Sequence, residues 1–145
     1  MSPCPGQRSM TELADARVVD IASDADVVLV RQLVRGLAVQ AGLSLVDQTK
    51  LITAASELAR NTLVYGGGGR AIVSFIHDSS RRGVEAQFID EGPGIPDVAQ
   101  ALVDGWTSGS GLGLGLSGSK RLVDVFELDT AIGAGTRVRI VKWGR

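Results

Sequence analysis

The chain holds one cysteine, Cys4, so no internal disulfide can form, which fits a reducing compartment. No apolar run approaches the roughly 18–20 residues needed to cross a bilayer. The first ten residues lack the apolar core of a signal peptide. These absences point to a cytoplasmic protein with no membrane partner. An excess of either charge is also missing: 15 Lys and Arg stand against 16 Asp and Glu, a formal net charge of -1. Nucleic-acid binders usually show a basic excess, so no nucleic-acid partner is expected.

What is present is enough chain for one packed core. The 145 residues are 44% hydrophobic and fit one domain of ordinary size. Residues 1–15, with Pro3, Pro5 and Gly6, read as a disordered leader, and 16–145 as a single domain. The unusual feature is 19 glycines, clustered at 66–69, at 92 and 94, and from 105 to 118. Inside an apolar domain such clusters mark tight turns or backbone that approaches a ligand closely.

Hydrophobic periodicity sets the order of elements. β-branched residues from Ala16 to Ile21 predict a strand. Ser23 or Asp24 then caps a helix to about Ala41, with Val30, Leu33, Val34, Leu37 and Ala38 at helical spacing and Gly42 closing it. Ser44-Leu45-Val46-Asp47 resembles a capping box and opens a second helix that runs to about Val64. Residues 70–77 and 84–90 predict an antiparallel strand pair, followed by a short helix near 97–103 and another over 117–126. A closing hairpin, 128–132 with 136–143, turns at Gly133-Ala134-Gly135. The expected fold is α+β: a two-layer sandwich of a mostly antiparallel mixed sheet with helices on one face.

Three segments carry chemistry. Glu57 and Asn61 lie four apart on the second helix and so point the same way. A carboxylate there can take a proton from a hydroxyl, and an amide oxygen suits Mg²⁺. Such a pair is usually a solvated helix face, so it identifies nothing alone. Asp90-Glu91-Gly92-Pro93-Gly94 follows an apolar strand. Asp90 at its end needs a donor if buried, and the exocyclic amine of adenine is one. Gly92 and Gly94 let backbone pass close to a ring. The third segment, Ser108-Gly109-Ser110-Gly111-Leu112-Gly113-Leu114-Gly115-Leu116, offers backbone N–H groups and then opens a helix, a natural phosphate site. Lys120 and Arg121 either add charge there or face water. Gly113 to Gly118 matches G-x-G-x-x-G, but it follows a polar glycine loop instead of a strand. A Walker A loop needs Gly before its lysine, and Ser119 precedes Lys120.

In this order the segments resemble the GHKL, or Bergerat-fold, ATPases. Glu57 to Asn61 is similar to the N box, Asp90 to Gly94 to the first glycine box, and Gly109 to Gly115 to the second. Gly135-Thr136 matches the late Gly-Thr that approaches the adenine-binding aspartate. Within the superfamily, Ser56-Glu57-Leu58-Ala59-Arg60-Asn61, the run Gly66-Gly67-Gly68-Gly69, Asp104-Gly105-Trp106-Thr107-Ser108-Gly109 and Val141-Lys142-Trp143 resemble the RsbT-type switch kinases of the serine-kinase and anti-sigma-factor branch.

The resemblance implies ATP and Mg²⁺ as cofactors and phosphorylation of a serine or threonine on a STAS-domain partner. A PP2C-type phosphatase in a sigma-factor cascade is implied as a further partner. It implies Glu57 as the base, Asn61 as the Mg²⁺ ligand and Asp90 as the adenine contact. Gly92, Gly94, Ser108, Gly109, Gly111, Leu112, Gly113, Leu114, Gly115 and Thr136 complete the nucleotide site. A binder that holds ATP only as a structural ligand is the alternative. His77, the single histidine, falls at a predicted strand end and reads as structural. Arg60, one residue before Asn61, is expected on a different helix face from it.

Overall fold

Ser44 starts the helix that carries the predicted catalytic face, its hydroxyl accepting the Asp47 backbone N–H at 3.1 Å. The computed structural model describes residues 12–94 and 115–144, with side chains described from residue 16. The elements are β1 (Glu12–Ile21), α1 (Asp24–Gln40), α2 (Leu45–Val64), β2 (Gly69–His77), β3 (Arg82–Asp90), α3 (Gly115–Arg121), β4 (Val125–Ala131) and β5 (Gly135–Trp143). The strands form one sheet in the order β1-β2-β3-β5-β4, and every pairing is antiparallel. This is the expected α+β sandwich, though the described strands pair only antiparallel where a mixed sheet was expected. No helix among the described residues is long and apolar enough to cross a membrane.

Period-two alternation explains which face of the sheet the helices cover. Val84, Ala86 and Phe88 of β3 are at most 2% exposed and pack in one core with Val30, Val34 and Leu37 of α1 and Leu51, Ala55 and Leu58 of α2. Burying each large aliphatic side chain contributes about 1.5–3 kcal/mol. The opposite face carries a smaller cluster of Ile76, Val141 and Trp143, with the Arg81 guanidinium 4.1 Å from the Trp143 ring centroid. Glu85, buried on this face, pairs with Arg139.

The structure moves several expected boundaries. β1 starts at Glu12, four residues before the expected Ala16, because residues 12–14 pair with His77, Ile76 and Phe75 of β2 across an irregularity between Ala14 and Arg17. The helix expected over 117–126 is instead Gly115–Arg121, and Val125 and Phe126 belong to β4. Asp124 stops the helix. Its backbone N–H donates to Val141 O at 2.9 Å, and its carboxylate accepts the Trp143 N–H at 2.7 Å, which draws the chain into the sheet. Lys142, only 5% exposed, reaches Asp124 at 3.4 Å and Asp47 at 3.6 Å, tying α2 to β5. The helix expected near 97–103 lies outside the described residues.

Candidate nucleotide site

Leu58 directs α2 into the core, and that fixes what its neighbours do. Glu57 and Asn61 lie about 100° and 60° round the helix from Leu58, on the shoulder of the buried stripe. Both are therefore half-buried. Among the described residues, Glu57 Oε2 and Asn61 Oδ1 are buried without a hydrogen-bond partner. Orphaned polar atoms of this kind are costly in a folded chain and call for a ligand or another explanation. Two of them side by side on one helix shoulder form a prepared polar surface.

Burial pushes the Glu57 carboxyl above its ordinary range, and two contacts oppose that shift. The Arg60 charge lowers it, and so does the Gly115 backbone N–H, which donates to the carboxylate. Arg60 is exposed, as expected for a position on another face from Asn61. Sequence reasoning did not anticipate that its charge reaches Glu57, although a spacing of three residues on a helix brings the two near. The Gly115 contact joins the first residue of α3 to α2.

Asp90 continues the helix-facing row of β3 beyond Phe88 and sits half-buried at its end. Its neighbours across the sheet are Gly69 and Thr136, and Thr136 in turn pairs with Thr130. The Asp90 Oδ1 accepts the Gly92 N–H at 2.9 Å, which shapes the start of the glycine loop. The Thr130 and Thr136 hydroxyls lie 2.9 Å apart. Gly94, at φ +79°, packs on the β4–β5 hairpin so tightly that a Cβ would lie 2.8 Å from the Ala131 carbonyl carbon. The Gly133 N–H holds the same loop by donating to Pro93 O at 2.8 Å.

The turn after α2 links these two groups of residues. The Asn61 carbonyl accepts the N–H groups of Tyr65 at 2.9 Å and Gly66 at 3.2 Å, and Gly66 lies against both Asp90 and Gly92. Glu57, Asn61, Asp90, Gly92, Gly94, Gly115 and Thr136 all occupy described positions. Ser108, Gly109, Gly111, Leu112, Gly113, Leu114 and also Trp106 lie outside them. His77 is exposed at the end of β2, opposite Arg82 of β3. Lys120 and Arg121 are exposed on α3.

Residues 46–143 match the family described as histidine kinase-, DNA gyrase B- and HSP90-like ATPases. The chain is 41% identical over 131 residues to the serine/threonine-protein kinase RsbT of Bacillus subtilis, covering 90% of this chain and 98% of that protein. It is 26% identical over 117 residues to the anti-sigma F factor of a Thermoanaerobacter species, covering 78% and 82%. Among solved structures, the RsbU and RsbW domains of a Mycobacterium tuberculosis protein superpose with a TM-score of 0.60 at 17% identity. That match covers 89% of this chain and 32% of the other, and at such low identity it bears on the fold alone.

Proposed function

This chain belongs to the histidine kinase-, DNA gyrase B- and HSP90-like ATPase family and is a serine/threonine-protein kinase of that type, and from that premise we propose that it phosphorylates a hydroxyl on a STAS-domain protein, with Mg²⁺, in a partner-switching sigma-factor cascade. A PP2C-type phosphatase is the proposed further partner, and the cytoplasm the proposed compartment. The single observation that carries the kinase reading is the pair of oxygens on the α2 shoulder, Glu57 Oε2 and Asn61 Oδ1, that have no hydrogen-bond partner among the described residues. A protein that only bound nucleotide would need no raised, half-buried carboxyl beside the metal-binding amide.

The residues fit the groups proposed for them. Asn61 Oδ1 is a neutral oxygen donor of the kind a hard cation takes. Among the described residues no three His, Cys, Asp or Glu side chains are grouped to hold a metal. Asn61 Oδ1, together with phosphate oxygens of the nucleotide, would hold Mg²⁺. Bound there, Mg²⁺ neutralises charge on the phosphates. Asp90 accepts the adenine amine, with Gly92, Gly94 and Thr136 framing the ring. Ser108, Gly109, Gly111, Leu112, Gly113 and Leu114 offer backbone N–H groups to the phosphates, while the Gly115 N–H is held by Glu57.

Glu57 receives the proton of the attacking serine or threonine hydroxyl on its carboxylate. Its raised pKa brings it nearer the operating pH, where a general base is most effective. Arg60 and the Gly115 N–H limit the rise. Much of the rate in phosphoryl transfer comes from positioning and charge neutralisation, so Asn61 and Asp90 matter as much as Glu57.

The likeness to an anti-sigma factor supports a second reading, a nucleotide-dependent binder with little turnover. The test of both is direct. The protein is mixed with radiolabelled ATP, Mg²⁺ and STAS-domain proteins from the same genome. Label on a serine or threonine of one of them supports the kinase reading. Stable complexes without label support the binder.

A further inference from the structure

The glycine run after α2 has no role in the reaction described above, yet its first member touches the proposed adenine contact. A Cβ built on Gly66 would lie 2.5 Å from Asp90 Cβ and 2.6 Å from Asp90 Oδ2. Separations below 3.0 Å force something to move. The question is which of the neighbours can.

The backbone at Gly66 is held. Its N–H donates to Asn61 O at 3.2 Å. Gly92 packs on its other side so closely that a Cβ at 92 would lie 2.8 Å from Gly66 Cα and 2.9 Å from Gly66 O. The backbone of Asp90 is held as well. It is paired with Gly69 on one side and Thr136 on the other. A Cβ on Gly69 would lie 3.0 Å from Asp90 Cα, and one on Gly135 would run into Asp90 O. Rotation about χ1 moves Asp90 Oδ2 but leaves Asp90 Cβ in place, so a side chain at 66 displaces the Asp90 side chain as a whole, through a shift of the turn or of the end of β3.

We propose that Gly66 is a positioning residue for adenine recognition: the absence of a side chain at 66 is what lets the Asp90 carboxylate point where a base can reach it. The Gly92 N–H fixes Oδ1, while Oδ2 lies in the space a side chain at 66 would fill. An alanine at 66 displaces the Asp90 side chain, and its carboxylate with it, from that position. This inference rests on the adenine role given to Asp90 in the proposed function.

The test compares ADP with inosine diphosphate, which lacks the exocyclic amine, by calorimetry on the full chain. The parent should prefer ADP by roughly tenfold to a hundredfold, the range for a hydrogen bond to a charged group. Asp90→Asn should lose that preference, since its amide no longer offers a charged acceptor. If Asp90→Asn keeps it, the adenine role of Asp90 fails, whatever Gly66 does. With that role upheld, Gly66→Ala should also bring the ratio close to one. Gly66→Ala/Asp90→Asn should discriminate no less than Asp90→Asn alone, because both changes act on one carboxylate. A Gly66→Ala protein that keeps the parental ratio, or loses both nucleotides equally with the ratio unchanged, overturns the proposal. Should Gly66→Ala fail to fold, Gly66→Ala/Asp90→Gly decides the matter, since it removes the side chain that the new Cβ meets. Recovery of the unfolding midpoint of Asp90→Gly supports the Gly66–Asp90 contact on which the proposal rests, and continued failure to fold overturns it.

Discussion

The Gly115 backbone N–H donates to the Glu57 carboxylate, so the first residue of α3 contacts the proposed base on α2. The two residues are 58 positions apart in the sequence, and the chain brings them together only by folding α3 against α2. Glu57 is thereby held between a buried shoulder that disfavours its charge and a backbone donor that favours it.

Replacing Glu57 with Gln keeps size and hydrogen bonding and removes the basic oxygen. Phosphoryl transfer to the partner should fall by roughly 10² or more, the usual range for a general base. Affinity for Mg-ATP should change little. Initial rates of label transfer, measured beside nucleotide affinity, check both. Transfer near the parental rate would remove Glu57 from the mechanism.

The acid limb of the pH–rate profile should lie above the ordinary glutamate range, because burial raises the Glu57 pKa. Arg60→Ala should move that limb to still higher pH, since the Arg60 charge lowers the value. A limb that stays in place, or moves down, would separate Arg60 from the base. The profile of kcat/KM for both proteins is the measurement.

The same shift gives a stability prediction. With a folded-state pKa above the unfolded value, Glu57 contributes its stability below the ordinary glutamate range and loses it as pH rises through the raised value. Gln does not titrate. The unfolding temperature of Glu57→Gln, relative to the parent, should therefore rise between pH 4 and pH 8. A difference that is constant with pH would contradict the burial of this carboxyl.

Lys142 should be structurally costly to remove. It is 5% exposed, and its partners Asp47 and Asp124 are partly exposed. Lys142→Ala should destabilise by about 2 kcal/mol, between the ~0–1 of a surface pair and the ~3–5 of a fully buried one. Urea unfolding of parent and variant checks this, and a loss under about 0.5 kcal/mol would class the pair with exposed ones.

Gly36 tests the opposite direction. It lies inside α1, without a left-handed φ, and a Cβ there meets nothing within 4 Å. Gly36→Ala should stabilise the protein by about 0.5–1 kcal/mol. An unchanged or lower unfolding temperature would mean that α1 does not keep this backbone in solution.

Much of this arrangement was legible before any coordinates. Apolar spacing in α1 and α2 and alternation in β2 and β3 are local signals, because each residue's face follows from its own helix or strand period. The capping pattern placed the start of α2, and the spacing of Glu57 and Asn61 placed both on one helix face. The order of the glycine boxes indicated the family, and the order of predicted helices and strands indicated the α+β sandwich. The end of α3 was not legible in the same way. Val125 and Phe126 continue an apolar helical pattern, and only Asp124 bonding to Val141 and Trp143 turns the chain into β4. Nor could spacing show that burial raises Glu57, or that the Gly115 N–H meets it, since both depend on α3 packing against α2. The closeness of Gly66 to Asp90 was hidden for the same reason. A glycine run reads as a turn in sequence, and only β3 returning beside it makes a missing Cβ matter.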